Sequence, residues 1–283
     1  MCGSFPCKSF ARDFSPSDSR GKTIVDQRVC IQMSAGPLVS IITPAYKAAP
    51  FVGDAIRSVR GQNHSAWEML IADDGSPDAT AEIVAGFASA GPRVKLIRQE
   101  NSGPAMARQR ALDAATGRYI AFLDSDDYWL PSKLSKQLHF MHRTGAALSY
   151  TAFRRIKHDG SELGHHIDVP KRLDYRSLLG NTAIATSTAL IDRDATGPFQ
   201  MRRVYCDDFV LWLELTKRGF VAHGLNEDLM RYRVLDKSVS RSKANSAKHV
   251  WHTYRAIEQL SLPHAGWCFA RYAFDGWRKY SRF

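Results

Sequence analysis

Short apolar runs alternate with stretches of helical periodicity through the first half of the sequence. The runs typical of buried strands are residues 38–43, 67–72, 94–97 and 118–123. Apolar positions at helical spacing follow the first three runs, over residues 51–60, 79–88 and 104–115. Pro77 would open the second of these helices. The alternation predicts right-handed crossovers and a Rossmann-like α/β fold, with a mainly parallel sheet and helices on both faces.

The pattern becomes less regular in the second half of the chain. One helix is predicted over residues 134–142. Strands at 147–153 and 187–191 enclose a polar stretch, residues 154–180, that we expect to face an acceptor on the mixed half of the sheet.

The chain divides into three predicted segments. Residues 1–36 have few periodic apolar positions, so we expect a disordered N-terminal extension, with Met33 as an alternative translation start to Met1. Residues 37–240 form the predicted α/β domain. Residues 241–283 form a basic, aromatic, helical C-terminal segment.

This C-terminal segment concentrates the positive charge of the protein. The whole chain carries a net charge of +11, and from Arg241 onward eight basic residues accompany only two acidic ones. Aromatic residues are interleaved with them: Trp251, Tyr254, Trp267, Phe269, Tyr272, Phe274, Trp277, Tyr280 and Phe283. This composition is typical of helices that lie in a membrane interface. The alternative is a helical pair that packs on the domain with these aromatic residues as its core.

Composition excludes several other classes. No apolar run reaches the roughly 18 to 20 residues of a membrane-spanning helix, and the N-terminus lacks the apolar region of a signal peptide. Five cysteines without paired spacing indicate reduced thiols rather than a disulfide framework or a zinc site. No nucleic-acid module, phosphate loop or dinucleotide fingerprint is present. We therefore expect a cytoplasmic protein, peripheral on the inner face of the cytoplasmic membrane, without a nucleic-acid partner.

Polar side chains follow each of the four predicted strands. These groups are Thr43 to Tyr46, Asp73 to Ser76, Asn101 to Gly103 and Asp124 to Asp127. Ligands of open α/β sheets bind beyond the carboxyl ends of parallel strands, so the four groups are predicted to meet at one edge. Carboxylates there suit Mg²⁺ or Mn²⁺ bridging to a diphosphate.

Asp124 and Asp126 are the strongest candidates for such a metal site. If the extended conformation continues past the strand, both side chains point to the same side. The alternative is that these aspartates cap or turn the chain before the next helix.

These motifs together resemble the inverting family 2 glycosyltransferases, which have the GT-A fold. The resemblance extends from residue 37 to the C-terminus and rests on residues 39–46, 71–76, 101–103, 107–108, 122–127 and 207–213. Within the family the chain is most similar to bacterial enzymes that assemble teichuronic acid and exopolysaccharides.

The resemblance implies a role for individual residues. The nucleotide-sugar site would comprise Pro44, Ala45, Tyr46, Asp74, Asn101, Arg108, Asp124 and Ser125. Tyr46 would stack on the base and Asp74 would bond the uracil or ribose. Asp126, with Asp124, would hold Mn²⁺ or Mg²⁺. Asp208 would be the general base.

Three positions depart from the family pattern. Asp207 stands where the family usually has Glu or Gln, which leaves its role open. Lys47 and Gln109 stand where Asn is common. Without the resemblance, Asp207 and Asp208 would be interpreted as acidic residues that favour the start of a helix.

The implied reaction is transfer of a sugar from a nucleotide-sugar donor, a UDP-sugar, to a growing surface-polysaccharide acceptor. The resemblance and the basic tail suggest an acceptor linked to a polyprenyl diphosphate. Two alternatives remain open, a non-catalytic membrane-associated scaffold and a sugar-nucleotide pyrophosphorylase-like enzyme. The second would need a glycine-rich N-terminal phosphate loop, which residues 43–46 do not provide.

Overall fold

A ten-stranded sheet forms the centre of the part of the chain that the structure describes. The strands are β1 (Val39–Ala45), β2 (Trp67–Asp74), β3 (Val94–Gln99), β4 (Tyr119–Phe122), β5 (Tyr128–Trp129), β6 (Leu148–Lys157), β7 (Leu163–Ile167), β8 (Arg172–Leu173), β9 (Leu190–Asp192) and β10 (Ala222–Val234). Their order is β3-β2-β1-β4-β9-β6-β10-β5, with β7 beside β6 and β8 beside β10. Six of these described strands, β1 to β4, β6 and β10, share one direction. The predicted mainly parallel sheet is confirmed.

The computed structural model describes residues 36–235 and 243–280, all within one compact unit, Ala35–Phe283. The predictions for residues 1–35, including the disordered extension and the alternative start at Met33, lie outside the described residues. So do the parts of the predicted C-terminal segment at 241–242 and 281–283.

Helices cover both faces of the sheet, as the alternating pattern predicts. They are α1 (Val52–Arg60), α2 (Thr80–Ser89), α3 (Pro104–Asp113), α4 (Lys133–Thr144), α5 (Tyr175–Leu179), α6 (Arg193–Thr196), α7 (Asp207–Lys217), α8 (Lys243–His252) and α9 (Leu262–Tyr280). Alternate residues of each strand enter different cores, because successive side chains of a strand point to opposite faces. Ile42 belongs to the core that also contains residues of α3, α5 and α7 to α9, whereas Ile41 belongs to the core that contains residues of α1, α2 and α4.

Several predicted boundaries are wrong. The predicted strand at 187–191 is split, because residues Thr186–Thr188 form a 3₁₀ turn and only Leu190–Asp192 is a strand. The polar stretch at 154–180, for which no element was predicted, contains the end of β6 together with β7, β8 and α5. Helix α2 begins at Thr80, three residues after Pro77.

Strand β10 has no counterpart among the predicted elements. Its register against β6 shifts twice, between Leu225 and Asp228 and between Asp228 and Arg231. These irregularities break the alternation of buried and exposed positions that identifies a strand from sequence.

The aromatic residues of the C-terminal helices divide between a buried inner face and an exposed outer face. Tyr254 is fully buried and donates a hydrogen bond to the Leu179 carbonyl, so the inner face belongs to the main core. Trp267 and Phe274 are about two-thirds exposed, at 66% and 61%, on the outer face of α9. Within the described ranges, no helix is both long and apolar enough to cross a membrane.

Candidate active site

Tyr46 lies at the end of β1 with nearly half of its surface exposed. Pro44 and Ala45 before it are buried in the sheet, which holds the backbone of Tyr46 at the sheet edge. Lys47 adopts a positive φ of 52°, donates its N–H to the Ser76 hydroxyl (3.1 Å) and places its ammonium group 5.2 Å from the Tyr46 ring centre. The phenol ring is therefore available to stack on a planar ligand.

Asp74, at the end of β2, organises the loop between β3 and α3. Its Oδ1 accepts hydrogen bonds from Gln99 Nε2 (2.7 Å) and the Ser102 N–H (2.8 Å), and its Oδ2 accepts one from the Gly103 N–H (2.9 Å). The Asn101 side-chain amide bonds the Asp74 carbonyl (3.0 Å). A carboxylate has about four acceptor positions, so Asp74 keeps one for a ligand.

Gly103 permits the sharp entry into α3. Its φ of +90° is a conformation that side-chain-bearing residues rarely adopt, and Pro104 then supplies the first residue of the helix. This loop conformation directs one turn of α3, including Arg108, towards the carboxyl end of β4.

Arg108 is the centre of the carboxylate cluster. Its guanidinium is buried and donates to Asp124 Oδ1 (2.6 Å) from one terminal nitrogen and to Asp207 Oδ2 (2.8 Å) from the other. Burial acts to lower the pKa of Arg108, but the charges of Asp124, Asp207 and Asp208 outweigh it and raise the pKa. Arg108 therefore stays charged and joins α3, the end of β4 and the start of α7.

The structure gives Asp207 a defined contact. Its carboxylate is 3% exposed and bonded to Arg108. Burial raises the pKa of Asp207 to about 6 although Arg108 opposes the shift. Asp207 is therefore the ion-pair partner of Arg108. The Arg108 guanidinium reaches the Asp207 carboxylate directly, so this contact does not need the longer Glu or Gln side chain.

Residues 124–127 form a turn rather than a continued strand. The Asp127 N–H donates to the Asp124 carbonyl (3.1 Å), so the extended geometry predicted for Asp124 and Asp126 is wrong. Asp127 is buried and accepts from Ser187 Oγ (2.6 Å) and from the Arg233 N–H (2.9 Å). Ser187 Oγ also accepts from the Asp124 N–H (3.0 Å). The turn is fixed by these contacts.

Asp126 is partly exposed, as are Asp124 and Ser125 before it in this turn. No other residue in the described ranges donates a hydrogen bond to the Asp126 side chain. Burial and the neighbouring charge of Asp124 raise the pKa of Asp126 to about 6. The charges of Arg233 and Arg108 oppose this shift and do not cancel it.

Arg233 on β10 supports the same turn and was not found from sequence. Its Nε donates to the Asp126 carbonyl (2.9 Å), and its terminal nitrogens donate to the His158 carbonyl (2.8 Å) and to Asp54 Oδ2 (3.1 Å). The guanidinium carbon also lies 4.9 Å from the Phe51 ring centre. Because these partners are 75 or more residues away in sequence, no local pattern could have indicated them.

Asp208 occupies the first turn of α7, as the sequence predicts. Its Oδ2 accepts from the Thr186 hydroxyl (2.5 Å) and its Oδ1 from the Phe209 N–H (2.7 Å). The side chain is half-buried, whereas Asp207 beside it is buried. Thr186 was not selected from sequence, and it lies one residue before the strand predicted at 187–191.

The carboxylates present fit a divalent cation. The oxygens of Asp126 and Asp124 are the hard ligands that Mg²⁺ and Mn²⁺ prefer, and Asp124 keeps Oδ2 for a cation while its Oδ1 accepts from Arg108. The described residues contain no group of three or more His, Cys, Asp or Glu side chains arranged to hold a metal. A cation here would therefore need substrate oxygens to complete its coordination, as Mg²⁺ commonly does with phosphates.

Comparisons with known sequences agree on one family. The sequence profile described as "Glycosyl transferase family 2" matches residues 40–209. The Bacillus subtilis glycosyltransferase TuaG, named for teichuronic acid biosynthesis, is 44% identical over 245 residues, which cover 86% of this chain and 97% of that protein. The Escherichia coli protein WfgD, named as a UDP-Glc:α-D-GlcNAc-diphosphoundecaprenol β-1,3-glucosyltransferase, is 36% identical over 217 residues, covering 76% and 84%.

Solved structures support the GT-A fold. Staphylococcus aureus TarS in complex with UDP-GlcNAc superposes with a TM-score of 0.63 at 17% identity, covering 85% of this chain and 72% of that one. A mannosyltransferase from Pyrobaculum calidifontis in complex with GDP-Man and Mn²⁺ has a TM-score of 0.61 at 18% identity, covering 84% and 74%.

Proposed function

The chain belongs to glycosyl transferase family 2, and from this we propose that it transfers a sugar from a UDP-sugar to a lipid-linked saccharide during assembly of a cell-surface polysaccharide. The names of two relatives support the proposal: TuaG for the polysaccharide class, and WfgD for the UDP-sugar and the lipid diphosphate. The family is inverting, so we assign a single displacement at the anomeric carbon.

The observation that carries the proposal is the different environment of two adjacent carboxylates. Asp207 is committed to Arg108, whereas Asp208 is half-buried and oriented by Thr186 and the Phe209 N–H. An oriented carboxylate with open surface suits a general base. We assign that role to Asp208.

The reaction then proceeds in one step. Asp208 takes the proton of the acceptor hydroxyl while that oxygen forms a bond to the anomeric carbon of the donor. The bond from this carbon to the diphosphate breaks, and its electron pair leaves with UDP. Attack opposite the leaving group converts an α-linked donor into a β-linked product.

Donor binding is assigned to the residues at the ends of β1, β2 and β4. Tyr46 stacks on the base beside Pro44 and Ala45, and the remaining acceptor position of Asp74 bonds the uracil or ribose. Asn101, Arg108 and Ser125 border the nucleotide sugar. The two hydrogen bonds that Arg108 donates hold Asp124 and Asp207 in place. Asp126 and Asp124 would hold the divalent cation. A bound Mn²⁺ or Mg²⁺ supplies positive charge that stabilises the departing diphosphate.

We also propose a peripheral location on the inner face of the cytoplasmic membrane. The outer face of α9 supports this, because Trp267 and Phe274 expose their rings beside basic residues. A lipid-linked acceptor would be presented at this surface.

A nucleotide panel tests the donor site. Thermal stability is measured with UDP, GDP, dTDP and CMP, each with and without Mn²⁺, for the native chain and for Asp126→Ala. We expect UDP with Mn²⁺ to raise the melting temperature of the native chain and not of the variant. The matched control is Asp228→Ala, which removes a carboxylate outside the site that is paired with Arg231. Stabilisation by no nucleotide would contradict the proposal and favour a non-catalytic scaffold.

A further inference from the structure

A surface cavity of about 370 Å³ lies between the end of α5 and the first half of α9. Arg176, Gly180, His264, Trp267, Cys268 and Arg271 line it. It contains none of the residues assigned above to the donor or to catalysis. Its lining combines two guanidinium groups, an imidazole and an indole, and none of these six described residues is acidic.

The two arginines of this cavity keep donor groups for an anion. Among the described residues, neither Arg176 nor Arg271 has a carboxylate oxygen within salt-bridge distance, and the nearby charge that acts on Arg176 is that of the exposed Asp174. A second surface cavity, of about 280 Å³, differs in this respect: Glu227 lines it and pairs with Lys136 at 2.5 Å. Unpaired guanidinium groups that share a concave surface favour phosphate, since each can donate two parallel hydrogen bonds to it.

Gly180 shapes the cavity by letting α9 approach closely. A Cβ atom at this position would lie 3.0 Å from Arg271 Cβ and 3.2 Å from its Nε. The Arg271 side chain therefore passes close to the backbone at Gly180 on the cavity wall, while the residue remains exposed to solvent. The Asn181 amide bonds Asp275 (3.3 Å), one turn further along α9, and fixes the same contact.

The cavity opens beside the exposed aromatic residues of α9. Trp267 is both a lining residue and 66% exposed, and Phe274 lies two turns further along the helix. Indole rings are typical of the level of lipid headgroups in a membrane. A helix lying there would place Arg176 and Arg271 at the depth of lipid phosphates.

The cavity is also connected to the catalytic residues by a short segment. Gly180 is six residues before Thr186, whose hydroxyl bonds Asp208. Six residues span at most about 20 Å. An acceptor whose phosphate is bound in the cavity can therefore extend its saccharide to Asp208.

We propose that this cavity is a binding site for the phosphate or diphosphate group of a membrane lipid. Arg176 and Arg271 hold the phosphate oxygens, His264 adds a further polar contact, and Trp267 packs on the attached chain at the headgroup level. The inference rests on the proposed function, because a lipid-linked acceptor would be bound here by its diphosphate while its saccharide reaches the active site.

The test uses inorganic diphosphate and the full-length chain in EDTA, so that metal-dependent binding at the donor site does not contribute. Binding is measured by isothermal titration calorimetry for the native chain, Arg176→Gln, Arg271→Gln and the control Lys248→Gln. Lys248 is an exposed basic residue of α8 outside the cavity. We expect saturable binding that weakens about tenfold or more in each arginine variant and is unchanged in the control. No saturable binding, or an equal loss in Lys248→Gln, would overturn the proposal.

Vesicles then distinguish the source of the phosphate. Phosphatidylcholine vesicles containing either phosphatidylglycerol or farnesyl diphosphate are sedimented with each variant. If the arginine variants lose binding only to farnesyl diphosphate vesicles, the site recognises a terminal diphosphate. If they lose binding equally to both kinds of vesicle, the site recognises any lipid phosphate. Vesicle binding that is the same in all four proteins contradicts the site.

The same preparations separate this proposal from the proposed function. Metal-dependent binding of UDP and hydrolysis of UDP-sugar should be unchanged in Arg176→Gln and Arg271→Gln, because neither residue is assigned to the donor site. If the native chain does not bind diphosphate but keeps these activities, only the assignment of the cavity is wrong. If UDP binding and hydrolysis are absent from the native chain, the proposed function falls first.

Discussion

At the scale of single residues, the site depends on one buried arginine, Arg108, whose guanidinium group interacts with several carboxylates. Arg108 bonds Asp124 and Asp207 and is also stabilised by the charge of Asp208. Removing one partner of a buried charge cluster leaves the others uncompensated, which costs far more than losing an exposed ion pair. The arrangement therefore links stability of the fold to geometry of the active site.

Arg108→Ala should reduce the free energy of unfolding by about 3–5 kcal/mol, because Asp124 and Asp207 lose their shared partner. Urea denaturation measures the loss. The control is Arg98→Ala, which removes an ion pair with Glu82 in which both side chains are exposed, and which should cost about 1 kcal/mol or less. Adding Asp207→Ala to Arg108→Ala should recover part of the loss. Equal effects of the two single variants would contradict the role of Arg108.

The sequence predicted the candidate carboxylates but not which of them are available to bind a ligand. Asp124, Asp126 and Asp208 could be selected because they follow a strand or begin a helix, and both positions can be read from local sequence. Asp127 looks equivalent to Asp126 in sequence. Only contacts with Ser187 and Arg233, 60 and 106 residues away, make Asp127 a buried structural group.

At the scale of secondary-structure elements, two polar contacts hold strands and loops in register at opposite ends of the sheet. Arg233 of β10 supports the turn after β4 at the carboxyl end. Glu68 of β2 joins Ser40, Lys95 and Thr116 at the other end. The sequence could not predict the first contact, since the bulges of β10 conceal the strand that carries Arg233.

Arg233→Met should weaken binding of UDP with Mn²⁺ by about tenfold or more, because the turn that carries Asp126 loses its support. Calorimetric titration of UDP measures this. Arg231→Met is the control, since Arg231 lies on the same strand and pairs with Asp228 instead of the turn. Native affinity in Arg233→Met, or the same loss in both variants, would show that the turn does not depend on Arg233.

Glu68 gives a pH-dependent contribution to stability. Burial acts to raise the pKa of Glu68, but hydrogen bonds from Lys95, Ser40 and Thr116 outweigh it and lower the pKa to about 2, from an ordinary value of 4.5. Because the pKa is lower in the folded state, the contribution is complete above about pH 4.5 and is lost as the pH falls towards 2.

Glu68→Gln should therefore destabilise the protein by about 2–3 kcal/mol at pH 7, and the difference from the native chain should shrink as the pH falls from about 5 towards 2. Urea denaturation at several pH values checks both statements. A difference that stays constant across this range would mean that the carboxylate charge does not matter.

At the scale of the whole molecule, one sheet separates two groups of helices, and the C-terminal helices belong to the same side as α3 and α7. Tyr254 and Glu258 connect the C-terminal segment to α5 and α7, through Leu179, Tyr175 and Lys217. The fold class was predictable because strand and helix alternate with clear periodicity. The division of the C-terminal aromatics into inner and outer faces was not, because both faces are equally aromatic in sequence.

The proposed activity is tested most directly at Asp208. The measurement is release of UDP from a UDP-sugar donor, with a lipid-linked acceptor, by the native chain and by Asp208→Asn, alongside the UDP affinity of each. General-base catalysis predicts that turnover falls by about 10²- to 10⁴-fold while UDP affinity changes by less than about twofold. Near-native turnover in Asp208→Asn would contradict the assignment of Asp208 as the base.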